Sequence, residues 1–139
     1  MNRKRDGVRR RQNLVLYFSL LPSVVGCSSG TPVSPTTMTP VLSSASPAAA
    51  AVGNGVTLTG ENFTATANHL KIGVGYLHNL ASPDGKTIPF TVPSALDVCA
   101  PGQQVCAALA VVLSPGVYQL SGIDDRGTSN EISFTVIER

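Results

Sequence analysis

The chain contains three cysteines and two histidines, and these are the residues with the most distinctive chemistry. Cys99 and Cys106 are separated by six residues, a spacing that zinc sites do not use, and zinc would need two further ligands. His69 and His78 would supply them only if the fold happened to bring all four side chains together, and His69 is expected to point outward into solvent. The sequence therefore predicts no metal ligand and no cofactor.

Motifs for catalysis are missing from the sequence as well. Serines are plentiful, but there is no Gly-x-Ser-x-Gly elbow, no His-Glu-x-x-His pair and no phosphate-binding glycine loop. Asp84, Asp124 and Asp125 could coordinate calcium, yet aspartates in turn sequences usually bond their own backbone. We expect no catalytic residue and no enzyme activity, although a hydrolase with a site assembled from scattered residues stays open.

The first 26 residues have the pattern of a secretory signal peptide. Six of the ten basic residues precede residue 12, and an apolar run follows at 14–25. This run is too short to cross the roughly 30 Å of a bilayer's apolar core, and Pro22 interrupts it. Residues 24–27 (VVGC) resemble a bacterial lipobox, in which the cysteine thiol is diacylated, with chains such as palmitate, and becomes the mature N-terminus. An ordinary signal peptide followed by a chance cysteine is the alternative.

Acylation of Cys27 would leave an even number of cysteines for pairing. Cys99 and Cys106 would then form a disulfide in an oxidising compartment. Asp97, Pro101 and Gly102 mark the segment around them as an exposed, turning one, so the disulfide is expected to close a surface loop.

A tether and one domain are expected after the lipidated cysteine. Residues 28–40 are rich in Ser, Thr and Pro and predict a semi-extended tether of roughly 40 Å at about 3.1 Å per residue. The protein is expected at a membrane of the bacterial cell envelope, on the periplasmic or outer surface. The predicted order is signal peptide, lipidated cysteine with tether, and a β-sandwich domain (1–26, 27–40 and 41–139).

From residue 41 onward, apolar and polar residues alternate with the period of half-buried β-strands. No segment has a helical period of useful length. Alternation of this kind fits antiparallel sheets packed on a single core, and Pro89 is expected at an edge or a bulge because it cannot donate to a ladder. Strands are predicted at about 41–45, 55–60, 69–73, 75–80, 86–92, 107–113, 116–122 and 131–137.

The segment GNGVTLTGENF at 53–63 resembles the opening of an IPT/TIG domain, an immunoglobulin-like sandwich found in bacterial surface proteins, plexins and some transcription factors. Ser46-Pro47 precedes it as in that family, and further segments follow in the family's order: NHLKIG (68–73), DGKTIPFTVP (84–93), PGVY (115–118) and GTSNEISFTV (127–136). Each segment alone is common, but five in order over about residues 40–137 identify the resemblance.

This resemblance implies an all-β, immunoglobulin-like antiparallel sandwich of IPT/TIG type. Tyr118 lies where such sandwiches often place a tyrosine corner, with the phenol bonded to backbone, so a structural role is expected for it. The chain departs from the family at 95–113, which is longer than usual between strands and carries Cys99 and Cys106.

Charge and aromatic content limit the partners. Without the first 26 residues, four basic side chains stand against seven acidic ones, a net charge of −3. No basic face would displace counterions from phosphate, so nucleic acid is not expected as a partner. The chain has no Trp, and Tyr76 is the aromatic left after the core is filled, which disfavours a broad glycan platform. We expect a membrane-anchored, non-catalytic module that binds an envelope or surface protein, with a weak glycan-binding module as the alternative.

The predicted partner contact is Tyr76, Leu77 and His78. Tyr76, Leu77 and Leu80 cannot all face one core in a regular strand, and the glycines before them would allow a bend. We expect this run on an edge strand that accepts a partner's strand, the alternative being that Tyr76 caps the core. An apolar strip on a sheet edge would favour a protein partner, and an aromatic pair beside Tyr76 would favour a glycan. A deep pocket that holds one of the histidines with a carboxylate would favour an enzyme.

Overall fold

The computed structural model describes residues 38–107 and 109–139. The predicted signal peptide, Cys27 and most of the predicted tether lie outside the described residues. The described residues form ten β-strands and no helix. In chain order they are β1 (Val41–Ser46), β2 (Ala49–Ala51), β3 (Gly55–Glu61), β4 (Asn68–Ile72), β5 (Gly75–Leu80), β6 (Thr87–Thr91), β7 (Ala95–Asp97), β8 (Ala110–Val112), β9 (Gly116–Asp124) and β10 (Gly127–Ile137).

The strands form two sheets that pack face to face. One has the order β1-β3-β6 and the other the order β2-β10-β9-β4-β5-β7-β8. Paired strands are antiparallel except β2, which runs parallel to β10 through Ala49 and Thr135. The predicted all-β sandwich is therefore confirmed, with the correction that its larger sheet is mixed.

Side chains from both sheets fill one core, as the alternation predicts. Val56 and Leu58 of β3 are buried, while the threonines between and after them are exposed. The rings of Phe90 and Phe134, from opposite sheets, meet edge to face with centroids 6.3 Å apart. Burying a side chain of this size contributes about 1.5–3 kcal/mol relative to leaving it exposed. The buried core includes Leu42, Phe63, Leu70, Ile72, Ile88, Val92, Leu96, Leu113, Leu120 and Val136.

All eight predicted strands are present, and two short ones were missed. β2 consists of three alanines, which carry no alternation, and β7 has only three residues, too few to show a period. The strand predicted at 107–113 is shorter, and the one predicted at 131–137 begins earlier. Pro89 lies on β6, which is an edge strand as expected.

Gly60 lies where two other groups approach the backbone of β3 closely. Gly53 adopts a φ of +93° and allows the turn before β3, but Gly60 lies within β3. A Cβ on Gly60 would overlap the carbonyl oxygen of Val41 on β1 and lie 2.6 Å from the ring of Phe63. Glycine is therefore required there because β1 and an aromatic ring approach the backbone closely.

Candidate functional site

Strands β4 and β5 change register at the point where both histidines lie. Asn68 is paired with Leu80, and Leu70 is paired with Leu77. Between these two pairs, β4 has one residue, His69, whereas β5 has two, His78 and Asn79. Asn79 has a φ of +57°, a left-handed conformation that asparagine tolerates better than most residues. This is a β-bulge, and it brings His69 and His78 together on the face of the seven-stranded sheet that points away from the core, called here the outer face.

The bulge resolves the broken alternation of β5. Leu77 and Leu80 pack against the core, whereas Tyr76 and His78 lie on the outer face with their rings stacked at 6.2 Å and an interplanar angle of 21°. The bend lies at Asn79, after the glycines that were expected to provide it. The prediction that this run lies on an edge strand is wrong, because β5 lies between β4 and β7.

The two imidazoles are in direct contact. Nδ1 of His69 lies 3.0 Å from Nδ1 of His78, and the rings are inclined at 71°. On the other side of His78, Nε2 lies 3.6 Å from Oδ2 of Asp97. Burial, and after it the neighbouring His78, lower the pKa of His69 below its ordinary value. His69 points outward as expected, but it is half-buried and paired instead of freely solvated.

Buried Asn68 fixes the start of β4 beside this pair. Its Oδ1 accepts hydrogen bonds from the backbone N–H and the hydroxyl of Thr64 at 2.9 and 3.0 Å. Its Nδ2 donates to the carbonyl oxygens of Thr64 and Leu80 at 2.6 and 3.0 Å. A buried amide satisfied in this way holds the loop before His69 and the end of β5 in one arrangement.

The segment between β7 and β8 is closed by the expected disulfide. Cys99 and Cys106 are bonded with their Cα atoms 5.7 Å apart, and Cys106 is exposed. The backbone N–H of Cys99 donates to Oδ1 of Asp97 at 2.9 Å. The disulfide loop is therefore linked to the carboxylate that faces His78.

This loop forms one wall of a cleft of about 290 Å³ beside His69. The other walls come from the loop before β4 and from the end of β9. Its lining residues are Ala67, His69, Pro101, Gly102, Ile123, Asp124 and Asp125. The segment that departs from the IPT/TIG pattern thus builds part of this cleft.

Two of the three aspartates considered for calcium, Asp84 and Asp124, accept hydrogen bonds within their own turns. Oδ1 of Asp84 accepts from the backbone N–H groups of Lys86 and Thr87 at 2.9 and 2.8 Å, and Oδ2 accepts from the Thr87 hydroxyl at 2.7 Å. These bonds, that of the Thr87 hydroxyl foremost, hold the pKa of Asp84 well below its usual range. Asp124 is bonded by Arg126 through the backbone N–H and Nε, at 2.8 and 3.1 Å.

The described part of the chain contains no group of three or more His, Cys, Asp or Glu side chains placed to hold one metal ion. Each imidazole Nδ1 has the other imidazole as its partner, so neither Nδ1 bonds a serine or cysteine as a catalytic base would. Tyr118 has the expected structural role, since its hydroxyl donates to the carbonyl oxygen of Ser114 at 2.7 Å.

A second surface feature lies at the free edge of the larger sheet. β8 is the last strand in that sheet and pairs on one side only, with β7. Leu109 and Val112 are 66% and 73% exposed there, and Val105 in the disulfide loop is 91% exposed. These three residues define an apolar edge strip. The strand was predicted from sequence, but its position at the edge depends on pairing with β7, which was not predicted.

No protein-family model and no curated protein matches the chain. It is similar to a solved structure described as a novel fungal alcohol oxidase with catalytic diversity among the AA5 family, in complex with copper, with 22% identity and a TM-score of 0.42 over 70% of this chain and 20% of that one. It is also similar to SGBP-B of the Bacteroides ovatus mixed-linkage glucan utilization locus, in complex with a mixed-linkage heptasaccharide, with 22% identity and a TM-score of 0.39 over 65% of this chain and 21% of that one.

The chain thus spans about one fifth of each of these structures. With TM-scores below 0.5, the similarities assign no activity, ligand or partner. No helix in the described ranges is long and apolar enough to cross a membrane.

Proposed function

We propose that this protein is a bacterial envelope lipoprotein whose IPT/TIG-type domain is a non-catalytic module that binds another envelope protein. Acylated Cys27 would anchor the chain and the Ser/Thr/Pro-rich tether would hold the domain at the membrane surface. Two acyl chains suffice for stable anchoring, whereas one is marginal. The Cys99–Cys106 disulfide supports a location outside the cytoplasm.

The observation that carries the interaction role is the apolar edge strip. Large exposed apolar side chains on and beside an edge strand are unusual for a monomer, because such edges pair readily with other chains. The matching partner is an extended segment with apolar side chains, which would add a strand to β8 and contact Leu109 and Val112. Tyr76 and His78, two strands away on the outer face, are proposed as an accessory contact in place of the edge contact first expected.

The test uses a photo-cross-linking amino acid at position 109 in the native host. We expect a discrete cross-linked species that disappears when Val112→Lys is introduced, because a charge on the edge blocks strand addition. The matched control is Val117→Lys, since Val117 is 69% exposed but lies on β9, away from the edge formed by β8. A species that survives Val112→Lys, or is lost equally with Val117→Lys, would contradict the proposal.

A glycan is the second candidate partner, and one observation favours it. The stacked rings of Tyr76 and His78 lie side by side on the outer face, where a sugar ring could stack on them. Affinity electrophoresis in gels containing neutral polysaccharides separates the two candidates. Glycan binding predicts retardation that Tyr76→Ala abolishes and Val112→Lys leaves intact, whereas the protein-binding role predicts no retardation of any variant.

A further inference from the structure

The contact between the two imidazoles has no part in the proposed interaction role. From the geometry at this contact, we propose that His69 and His78 form a binding site for a divalent transition-metal ion that prefers tetragonal coordination, with Cu²⁺ bound most tightly. Both Nδ1 atoms would be ligands. The metal would replace the proton shared between them, and that proton would move to Nε2 of His69.

The distance between the two nitrogens fits adjacent ligand positions around one metal ion. Imidazole nitrogens lie about 2.0–2.1 Å from a bound metal, so the observed separation of 3.0 Å corresponds to a nitrogen–metal–nitrogen angle of about 94°. This is close to the 90° between adjacent ligands in square-planar or tetragonal coordination, and below the 109° of a tetrahedral zinc site. Nitrogen and oxygen donors in tetragonal geometry are typical of Cu²⁺ and Ni²⁺, and Cu²⁺ is the most tightly bound of the divalent series.

Asp97 would orient one of the two ligands. Its Oδ2 faces Nε2 of His78 at 3.6 Å, which favours the tautomer with the proton on Nε2 and leaves Nδ1 free to bind a metal. Asp97 is itself held by the backbone N–H of Cys99 at 2.9 Å. The disulfide loop therefore supports the proposed site through this carboxylate, in the outer position that carboxylates commonly take behind metal-bound histidines.

Solvent would complete the coordination. In the described ranges no third His, Cys, Asp or Glu joins the two imidazoles as a ligand, but the cleft of about 290 Å³ adjoins His69 and has room for water. A late transition-metal ion with two adjacent imidazoles and water in its remaining positions matches the space and donors present.

The composition of the chain makes the test unusually direct. His69 and His78 are its only two histidines, so every imidazole signal from an untagged protein must come from them. The full chain, purified without a histidine tag and stripped with EDTA, is mixed with one equivalent of CuSO₄ in a non-coordinating buffer. We expect electron paramagnetic resonance of tetragonal Cu²⁺, with echo-envelope modulation from two imidazoles.

Variants then test the role of each residue. His69→Gln and His78→Gln should each leave one coupled imidazole and weaken Cu²⁺ binding by about 100-fold or more, whereas Asp97→Asn should weaken it by about 10-fold. Lys71→Gln, on the same face of β4, serves as the matched control with unchanged affinity. A tenfold excess of Zn²⁺ should not displace Cu²⁺.

Three results would overturn the proposal. They are a wild-type spectrum with fewer than two coupled imidazoles, equal affinities of the wild type and His69→Gln, and displacement of Cu²⁺ by equimolar Zn²⁺. The wild-type spectrum and the zinc competition require no variant, so the proposal stays testable even where a substitution prevents folding.

Discussion

Replacing Gly60 by alanine tests the packing of β1 on β3. The added methyl group would overlap the carbonyl oxygen of Val41 and lie 2.6 Å from the Phe63 ring. The ring belongs to a side chain that can shift, but the carbonyl belongs to the backbone of the neighbouring strand. β1 must therefore move away from β3. The two strands are paired from Val41 opposite Glu61 to Ser46 opposite Thr57, so the movement disturbs this pairing.

The size of the effect follows from this geometry. Overpacking usually costs about 1–3 kcal/mol, and we place Gly60→Ala at about 3 kcal/mol or more because a backbone atom has to be displaced. For a domain of roughly 100 residues, a change of 1 kcal/mol moves the melting temperature by about 4–8 °C. The melting temperature of Gly60→Ala should therefore be lower than that of the wild type by about 12 °C or more.

Gly55→Ala is the matched control on the same strand. Nothing lies within 4 Å of a Cβ added at Gly55, so alanine should reduce only the entropy of the unfolded chain. That gives a gain of about 0.4–1 kcal/mol, or a few degrees in melting temperature, measured by circular dichroism or calorimetry. A Gly60→Ala protein that melts within about 2 °C of the wild type would refute the close approach of β1.

Three further predictions concern local interactions. Reduction of the Cys99–Cys106 disulfide, which closes a loop of eight residues, should lower the free energy of unfolding by at most about 2.5 kcal/mol on a chain-entropy argument. The melting temperature should fall without unfolding of the sandwich. Two titratable thiols in the native protein would contradict the pairing. Asp84→Asn should be less stable than the wild type near pH 6, because the lowered folded-state pKa of Asp84 stabilises the folded protein at pH values above the ordinary value of 3.8, and the difference in melting temperature should shrink progressively as the pH falls below 3.8 toward the lowered pKa. Tyr118→Phe should lose about 0.5–1.5 kcal/mol in denaturant titrations, through loss of the hydrogen bond to Ser114, and an unchanged midpoint would contradict the corner.

The sequence allowed the core of the sandwich to be predicted because its signals are local. Val56 and Leu58 alternate with threonines, and the two inner positions are the buried ones. Pro89 was placed at an edge for a reason that depends on its own missing N–H. The disulfide followed from counting cysteines once Cys27 was assigned to the lipid anchor.

The candidate sites could not be predicted because they depend on long-range placement. His69 and His78 meet only through a bulge at Asn79, and asparagine in a strand does not reveal its φ in advance. The edge assignment of β5 failed because β7, with three residues, gave no signal and yet pairs with β5 through Tyr76 and Asp97. The cleft could not be predicted because it depends on where the disulfide loop packs against the rest of the domain.

The proposed function depends most on the anchoring of the chain at the envelope through Cys27. Mass spectrometry of the N-terminal peptide from native membranes measures this directly. We predict a mature chain that starts at Cys27, carries the mass of a diacylglyceryl group, and partitions into detergent, with Cys27→Ser released from the membrane fraction. A native protein that keeps residues 1–26, or that is soluble with an unmodified Cys27 thiol, would contradict the proposed lipoprotein.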